Sequence, residues 1–249
     1  MISIKTDEEI KIMKHAGHIN YLTHKLVEKN IKPGISTKEL DKIAYNFIIE
    51  NDGIPSFLNY NGFPASICTS INDEVVHGIP SDRILEDGDI ISVDIGVLWN
   101  GYHSDSAATY PVGNISDADK HLLEHTKQSL YEGIKEVKAG AKLGNISSAI
   151  EKYAHKNKLS VVEELVGHGV GKNLHEDPDV PNYGKYNTGM TLKKGMVIAI
   201  EPMLNYGSKN ICILDDDWTI CTIDGKKSAH FEHTVAITDD GYIILTGED

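Results

Sequence analysis

The chain carries one strand-like stretch twice, 107 residues apart, and both copies end on a carboxylate. Leu85-Glu-Asp-Gly-Asp-Ile-Ile-Ser-Val-Asp94 aligns without a gap on Leu192-Lys-Lys-Gly-Met-Val-Ile-Ala-Ile-Glu201. A second ungapped match sets Gly34-Ile-Ser-Thr-Lys-Glu-Leu-Asp-Lys-Ile-Ala44 on Gly144-Asn-Ile-Ser-Ser-Ala-Ile-Glu-Lys-Tyr-Ala154 at a shift of 110, which places Leu40 on Ile150. Between the matched pieces of each half stands a His-x-x-Pro segment, His77-Gly-Ile-Pro80 and His175-Glu-Asp-Pro178. Such a repeat implies one pseudo-symmetric domain over residues 1–249, with halves of approximately 1–110 and 111–249.

Local signals fill in the first half. Thr6 and Glu9 form a capping box that opens a helix, which Lys32-Pro33-Gly34 must end. Ser36 and Glu39 form a second box ahead of Leu40, Ile43, Ala44, Phe47 and Ile48, which share one helical face. Asp89 to Trp99 reads as a largely buried strand, Asn100-Gly101 as a two-residue hairpin turn, and a return strand follows from Tyr102.

A formal net charge of −13 disfavours sequence-independent grip on nucleic acid or anionic lipid. Cys68, Cys212 and Cys221 are odd in number and form no Cys-x-x-Cys, which argues against a disulfide framework or a structural zinc site and fits a reducing cytoplasm. The N-terminus turns charged at once, and no run approaches a membrane-spanning length, so neither a signal peptide nor a spanning helix is expected.

Carboxylates inside apolar strands carry the chemistry. With Asn100-Gly101 at the turn, Asp105 falls opposite Gly96 and on the same face as Asp94. Diagonal neighbours of this kind lie roughly 7 to 8 Å apart at the backbone. Two buried anions at that spacing call for a cation between them, and the missing side chain of Gly96 leaves room above the strand. Glu201 closes the apolar run Met196–Ile200, and Glu232 stands in a strand after Asp224-Gly225, where it takes the hairpin-return role of Asp105. His168, between Gly167 and Gly169, offers a nitrogen. Oxygen-rich ligation with one imidazole points to Mn, Fe(II) or Co. Gly167-His-Gly-Val-Gly-Lys172 fits neither a dinucleotide fingerprint nor a phosphate loop, His175-Glu176 opens no His-Glu-x-x-His helix, and no Gly-x-Ser-x-Gly elbow occurs.

The order and spacing of Asp94, Asp105, His168, Glu201 and Glu232 resemble those of the methionine aminopeptidases, bacterial type I. Ser70-Ile-Asn72, Gly101-Tyr-His-Ser-Asp105, Ile200-Glu-Pro-Met203 and Phe231-Glu-His-Thr234 extend the resemblance over nearly the whole chain. It implies the α+β pita-bread fold, a curved antiparallel sheet flanked by helices. It also implies two divalent ions per chain, with Asp105 and Glu232 bridging, Asp94 completing one site and His168 with Glu201 the other. A water between the ions is then the nucleophile, Glu201 shuttles its proton, and His77 and His175 stand beside the scissile amide. The methionine pocket is expected from Phe57, Tyr60, Phe63, Cys68, Leu174 and Trp218. Leu174 stands where relatives often have an aromatic residue, and Phe57 where some have cysteine; His230 is not expected to be a ligand. The implied activity is removal of initiator methionine before a small second residue, by a cytoplasmic monomer acting on nascent chains near the ribosome. Alternatives of the same fold are an Xaa-Pro peptidase, which usually carries an added N-terminal domain, and a non-catalytic peptide-binding module.

Overall fold

The computed structural model describes residues 2–248. Helices α1 (Asp7–Asn30) and α2 (Thr37–Glu50) open on the two expected capping boxes. Thr6 N–H donates to Glu9 Oε2 at 2.8 Å and Glu9 N–H to Thr6 Oγ1 at 3.3 Å; Ser36 and Glu39 repeat the exchange at 2.9 and 3.2 Å. These bonds satisfy backbone donors that a helix start otherwise leaves open. Leu40, Ala44 and Ile48, one turn apart along α2, are wholly buried.

Strands Ile90–Trp99 and Tyr102–Pro111 pair antiparallel along their full length, with Gly96 opposite Asp105. Asn100 (φ 46°) and Gly101 (φ 82°) both adopt the left-handed conformation that a tight hairpin with the right twist requires. Alternation then sorts the strand: Ile91, Val93, Ile95 and Val97 join the core under α1 and α2, and Asp94 faces the other way. Ile67–Ile71 and Ile54–Pro55 also pair with Ile90–Trp99.

In the second half, Val197–Ile200 pairs with His233–Ile237 and Gly167–Gly169, and Tyr242–Ile244 and Glu176–Val180 complete a five-stranded sheet. Helices α3 (Asp117–Ile134) and α4 (Leu143–Lys156) share a core with it, among them Leu122, Leu130, Ile146, Ile150, Ile198 and Ile200. Two three-stranded sheets accompany these among the described residues. One joins Ser228–His230, Met203–Asn205 and Ser160–Val161; the other joins Ile211–Ile213, Ile220–Thr222 and Glu74–Val76.

The halves are related, but in two places the register differs from the one the sequence suggests. Gly34 N–H donates to Leu85 O at 2.8 Å, and Gly140 N–H donates to Leu192 O at 2.9 Å. Gly140, not Gly144, therefore answers Gly34, which puts the first shift at 106 rather than 110. Leu40 corresponds to Ile146 and Ala44 to Ile150. The expected match was one helical turn out, and a slip of that size preserves the apolar face that suggested it.

The second correction concerns Glu232. Val112 N–H bonds Asp89 O and Ile237 N–H bonds Met196 O, both at 2.9 Å, so Val112 answers Ile237. Counted back along unbroken registers, Asp105 answers His230, and Glu232 answers Ala107. A displacement of two residues on a strand returns a side chain to the same face, which is why both acids still point into the common cleft. The 107-residue match of Asp94 to Glu201 stands, because Leu85 and Leu192 make equivalent bonds to Ile35 and Ala141, each at 2.8 Å.

Candidate metal centre

The five expected ligands converge on one cleft of about 320 Å³ between the halves. Asp94 and Asp105 come from the first hairpin. His168 comes from Gly167–Gly169, and Glu201 and Glu232 lie where Val197–Ile200 ends and His233–Ile237 begins. One atom each of Asp105, His168 and Glu232 lies within 4.8 Å of the others, and all three residues are buried. Glu201 Oε1 stands 3.6 Å from His168 Nε2, and Asp105 Oδ2 stands 3.8 Å from it.

The backbone around His168 explains its glycines. A Cβ on Gly167 would lie 2.3 Å from Ala199 O, so only glycine lets this strand approach Val197–Ile200 closely enough. His168 Nδ1 donates to Gly169 O at 2.9 Å, which leaves Nε2 with its lone pair toward the acids. Burial, and then His175 nearby, lower the His168 imidazole to about 3, so it is neutral as a ligand must be.

The acids are held in the opposite imbalance. Burial raises Asp94 to about 7. Burial and then the charges of Asp94 and Glu201 push Asp105 well above the carboxylate range, burial and then Asp94 do so for Glu201, and burial and then Asp105 for Glu232. Asp94 Oδ1, Asp105 Oδ1 and Glu232 Oε1 are buried with no hydrogen-bond partner. Buried orphan oxygens are costly, and crowded carboxylates repel. Divalent cations remove both costs together, so the residues present fit a metal centre of the expected composition.

The other expected residues line the same cleft: Phe57, Tyr60, Phe63, Cys68, His77, Leu174, His175 and Trp218. Trp218 packs edge-on to Phe63 with ring centroids 5.1 Å apart, and Leu174 is 2 % exposed. Gly96 serves a purpose other than the one foreseen. A Cβ there would come 2.7 Å from Ser56 Cβ and 2.8 Å from Phe57 Cε1, so its room is taken by the apolar wall rather than by an ion.

Tyr60 O–H lies 2.9 Å from His175 Nδ1. Burial and then Asp105 raise the phenol, so it keeps its proton; with that proton donated to Nδ1, the His175 proton sits on Nε2, and the opposite tautomer would have Nδ1–H donating to the phenol oxygen. Burial and then His175 lower His77 to about 4, leaving it neutral as well.

Sequence reasoning missed three features. Asn61 lines the cleft. His230, read from the sequence only as a non-ligand, is buried with no hydrogen bond to Nε2, which stands 3.7 Å from Glu201 Oε2. Thr234 grips the Asp105 backbone. The Thr of Phe231-Glu-His-Thr234 was visible, but only the packing of the two halves brings it to Asp105.

Residues 11–239 match the model for metallopeptidase family M24. The methionine aminopeptidase 1 of Bacillus subtilis is 61% identical over 99% of both chains. A crystal structure of methionine aminopeptidase from Rickettsia prowazekii superposes with a TM-score of 0.98 at 42% identity, covering 99% of this chain and 100% of that one. A prolidase from Pyrococcus horikoshii shares the fold at a TM-score of 0.77 and 24% identity, but this chain covers only 64% of it. The chain belongs to metallopeptidase family M24, among its methionine aminopeptidases.

Proposed function

We propose that this chain removes the N-terminal methionine of newly made proteins whose second residue is small, using two divalent ions held by Asp94, Asp105, His168, Glu201 and Glu232. The observation that carries the reading is the cleft itself, where an apolar pocket of Phe57, Phe63, Leu174 and Trp218 opens directly onto the carboxylate cluster. A thioether suits aromatic walls. By the family resemblance, Asp105 and Glu232 would be shared between the ions, Asp94 would serve one of them, and His168 with Glu201 would serve the other. Oxygen-rich ligation with one imidazole favours Fe(II), Mn or Co.

Bound divalent ions supply Lewis acidity and make water acidic enough to attack an amide near neutral pH. The rest falls to the protein. Glu201 takes the proton of the attacking water and returns it to the leaving nitrogen. His175 Nε2–H, set by Tyr60, donates to the carbonyl oxygen as it gains charge. His77 stands by the scissile nitrogen. A second chamber of about 500 Å³ shares His77, His168, His175 and Glu201 with the first. These groups lie at the junction, with the methionine side chain on one side and the remaining peptide leaving on the other.

No helix among the described residues is long and apolar enough to cross a membrane. Initiator methionine is met on nascent chains, which supports action in the cytoplasm near the ribosome. Both halves of the cleft come from one chain, which supports a single catalytic domain working as a monomer. The Xaa-Pro reading is not favoured, since the prolidase likeness reaches no further than the fold. Methionine release from Met-Ala-Ser, compared with cleavage of an Xaa-Pro peptide, with and without chelator, tests the proposal. Metal-dependent cleavage of the first peptide alone is expected; preference for the second would overturn it.

A further inference from the structure

Cys212 and Cys221 stand directly opposite each other on the paired strands Ile211–Ile213 and Ile220–Thr222, both as free thiols. Ile223 N–H donates to Asn210 O at 3.1 Å and Leu214 N–H to Thr219 O at 2.9 Å. Alternation between these two bonds puts Cys212 and Cys221 in a hydrogen-bonded pair, where Cα atoms lie about 5.5 Å apart, inside the range of about 4.4 to 6.8 Å that a disulfide spans. Side chains directly opposite on a strand pair leave the sheet on the same face. Cys212 is exposed, while Cys221 is only 5 % exposed. Cys68 lies apart from them, in the wall of the cleft.

The hairpin that joins the two cysteines carries Trp218 at its turn. Asp216 fixes that turn by accepting from Trp218 N–H at 2.9 Å and Thr219 N–H at 2.7 Å. On its far edge, Ile220–Thr222 pairs with Glu74–Val76, the strand that delivers His77. A bond across the base of this hairpin is thus coupled to one wall of the apolar pocket and borders the strand that leads to a cleft histidine.

We propose that Cys212 and Cys221 form a redox-sensitive site, which a low-molecular-weight disulfide of the glutathione class converts into a cross-strand disulfide within the hairpin that carries Trp218. The thiolate of exposed Cys212 attacks the small disulfide, forming a mixed disulfide and releasing one small thiol. Cys221 then attacks the Cys212 sulfur, giving the intramolecular bond and releasing the second small thiol. Two protein thiols are oxidised, one small disulfide is reduced, and both protons leave on the small thiols. Burial, and then Asp73 and Glu74, raise the Cys221 thiol to about 12, which makes it the slow, resolving partner. The bond closes a short loop at the surface and so belongs to the readily reduced kind.

The test treats the metal-loaded enzyme with glutathione disulfide, then alkylates and maps its peptides by mass spectrometry without reduction. A Cys212–Cys221 crosslink that dithiothreitol reverses is expected, together with a shift of at least about twofold in KM for Met-Ala-Ser, absent from Cys212→Ser and Cys221→Ser enzymes. Cys221→Ser should instead stop at the mixed disulfide on Cys212. A wild-type enzyme that also stops there, or that reacts at Cys68, overturns the site. A crosslink that leaves KM unchanged overturns its coupling to the pocket.

Discussion

Thr234 holds Asp105 by its backbone: the hydroxyl accepts from Asp105 N–H at 2.9 Å and donates to Asp105 O at 2.6 Å. Thr109 holds His230 in the same way, at 2.9 Å for both bonds. The two threonines occupy equivalent places in the halves, so each half pins a backbone segment of the other, at Asp105 in the cleft and at His230 beside Glu201. This reciprocal grip, rather than either hairpin alone, sets the position of Asp105.

Replacing Thr234 by Val keeps the shape and removes both bonds, leaving buried backbone groups unpaired at a cost of about 1 to 3 kcal/mol. Thr234→Val should bind Mn(II) at least about tenfold more weakly by calorimetry and unfold at lower urea, while Thr234→Ser stays close to wild type. Unchanged Mn(II) affinity in Thr234→Val would show that Asp105 is placed by its own hairpin.

The cleft acids, raised by burial and mutual repulsion, keep protons near neutral pH when no cation is present. Metal binding at pH 7 should therefore release protons, and the number released should fall as pH rises. The same shifts predict that chelated protein loses stability as pH rises from the ordinary carboxylate range to about 7, because over that span the folded Asp94 still holds a proton that the unfolded chain has already released. Calorimetry in buffers of different ionisation enthalpy measures the release. Heats independent of buffer would contradict the prediction.

Tyr60→Phe removes the hydroxyl that bonds His175 Nδ1 but keeps the ring stacked on His175, at a centroid distance of 5.4 Å. The expected result is a fall in kcat of about tenfold with KM for Met-Ala-Ser changed much less, since the interaction serves charge developing at the carbonyl. A rise in KM with kcat intact would assign Tyr60 to binding alone.

Much of this arrangement was legible in the chain. Asn100-Gly101 fixes the hairpin register by turn chemistry alone, so the Gly96–Asp105 pairing followed from counting. The capping boxes at Thr6 and Ser36 are local and were read directly. Registers that depend on packing were not. Helical periodicity let the α2–α4 match slip one turn, and strand periodicity let Glu232 pass for the counterpart of Asp105. His168 as fifth ligand rested on family resemblance, because a lone histidine between glycines says nothing of what it faces. Tyr60 with His175, and Thr234 with Asp105, are 115 and 129 residues apart, and no local pattern announces such contacts.

His24 supplies a separate acid limit. It is buried between Tyr110 O–H, 3.0 Å from Nδ1, and Ser106 O, 2.9 Å from Nε2, and burial lowers it to about 4. The unfolded chain takes up a proton near 6.5 that the folded one refuses, so this contribution is complete above 6.5 and drains away as pH falls toward 4. Up to about 3 kcal/mol is at stake. Urea unfolding at several pH values should show the advantage of wild type over His24→Gln shrinking across that window. A constant difference would mean that His24 titrates alike in both states.

In the proposed centre the five converging residues hold the catalytic metal. Equilibrium dialysis of chelated protein against Mn(II), followed by metal analysis and by methionine release from Met-Ala-Ser on the same samples, tests this most directly. Wild type should bind two equivalents and turn over only when loaded, and His168→Ala should lose metal and activity together. His168→Ala protein that binds and turns over like wild type would contradict the account.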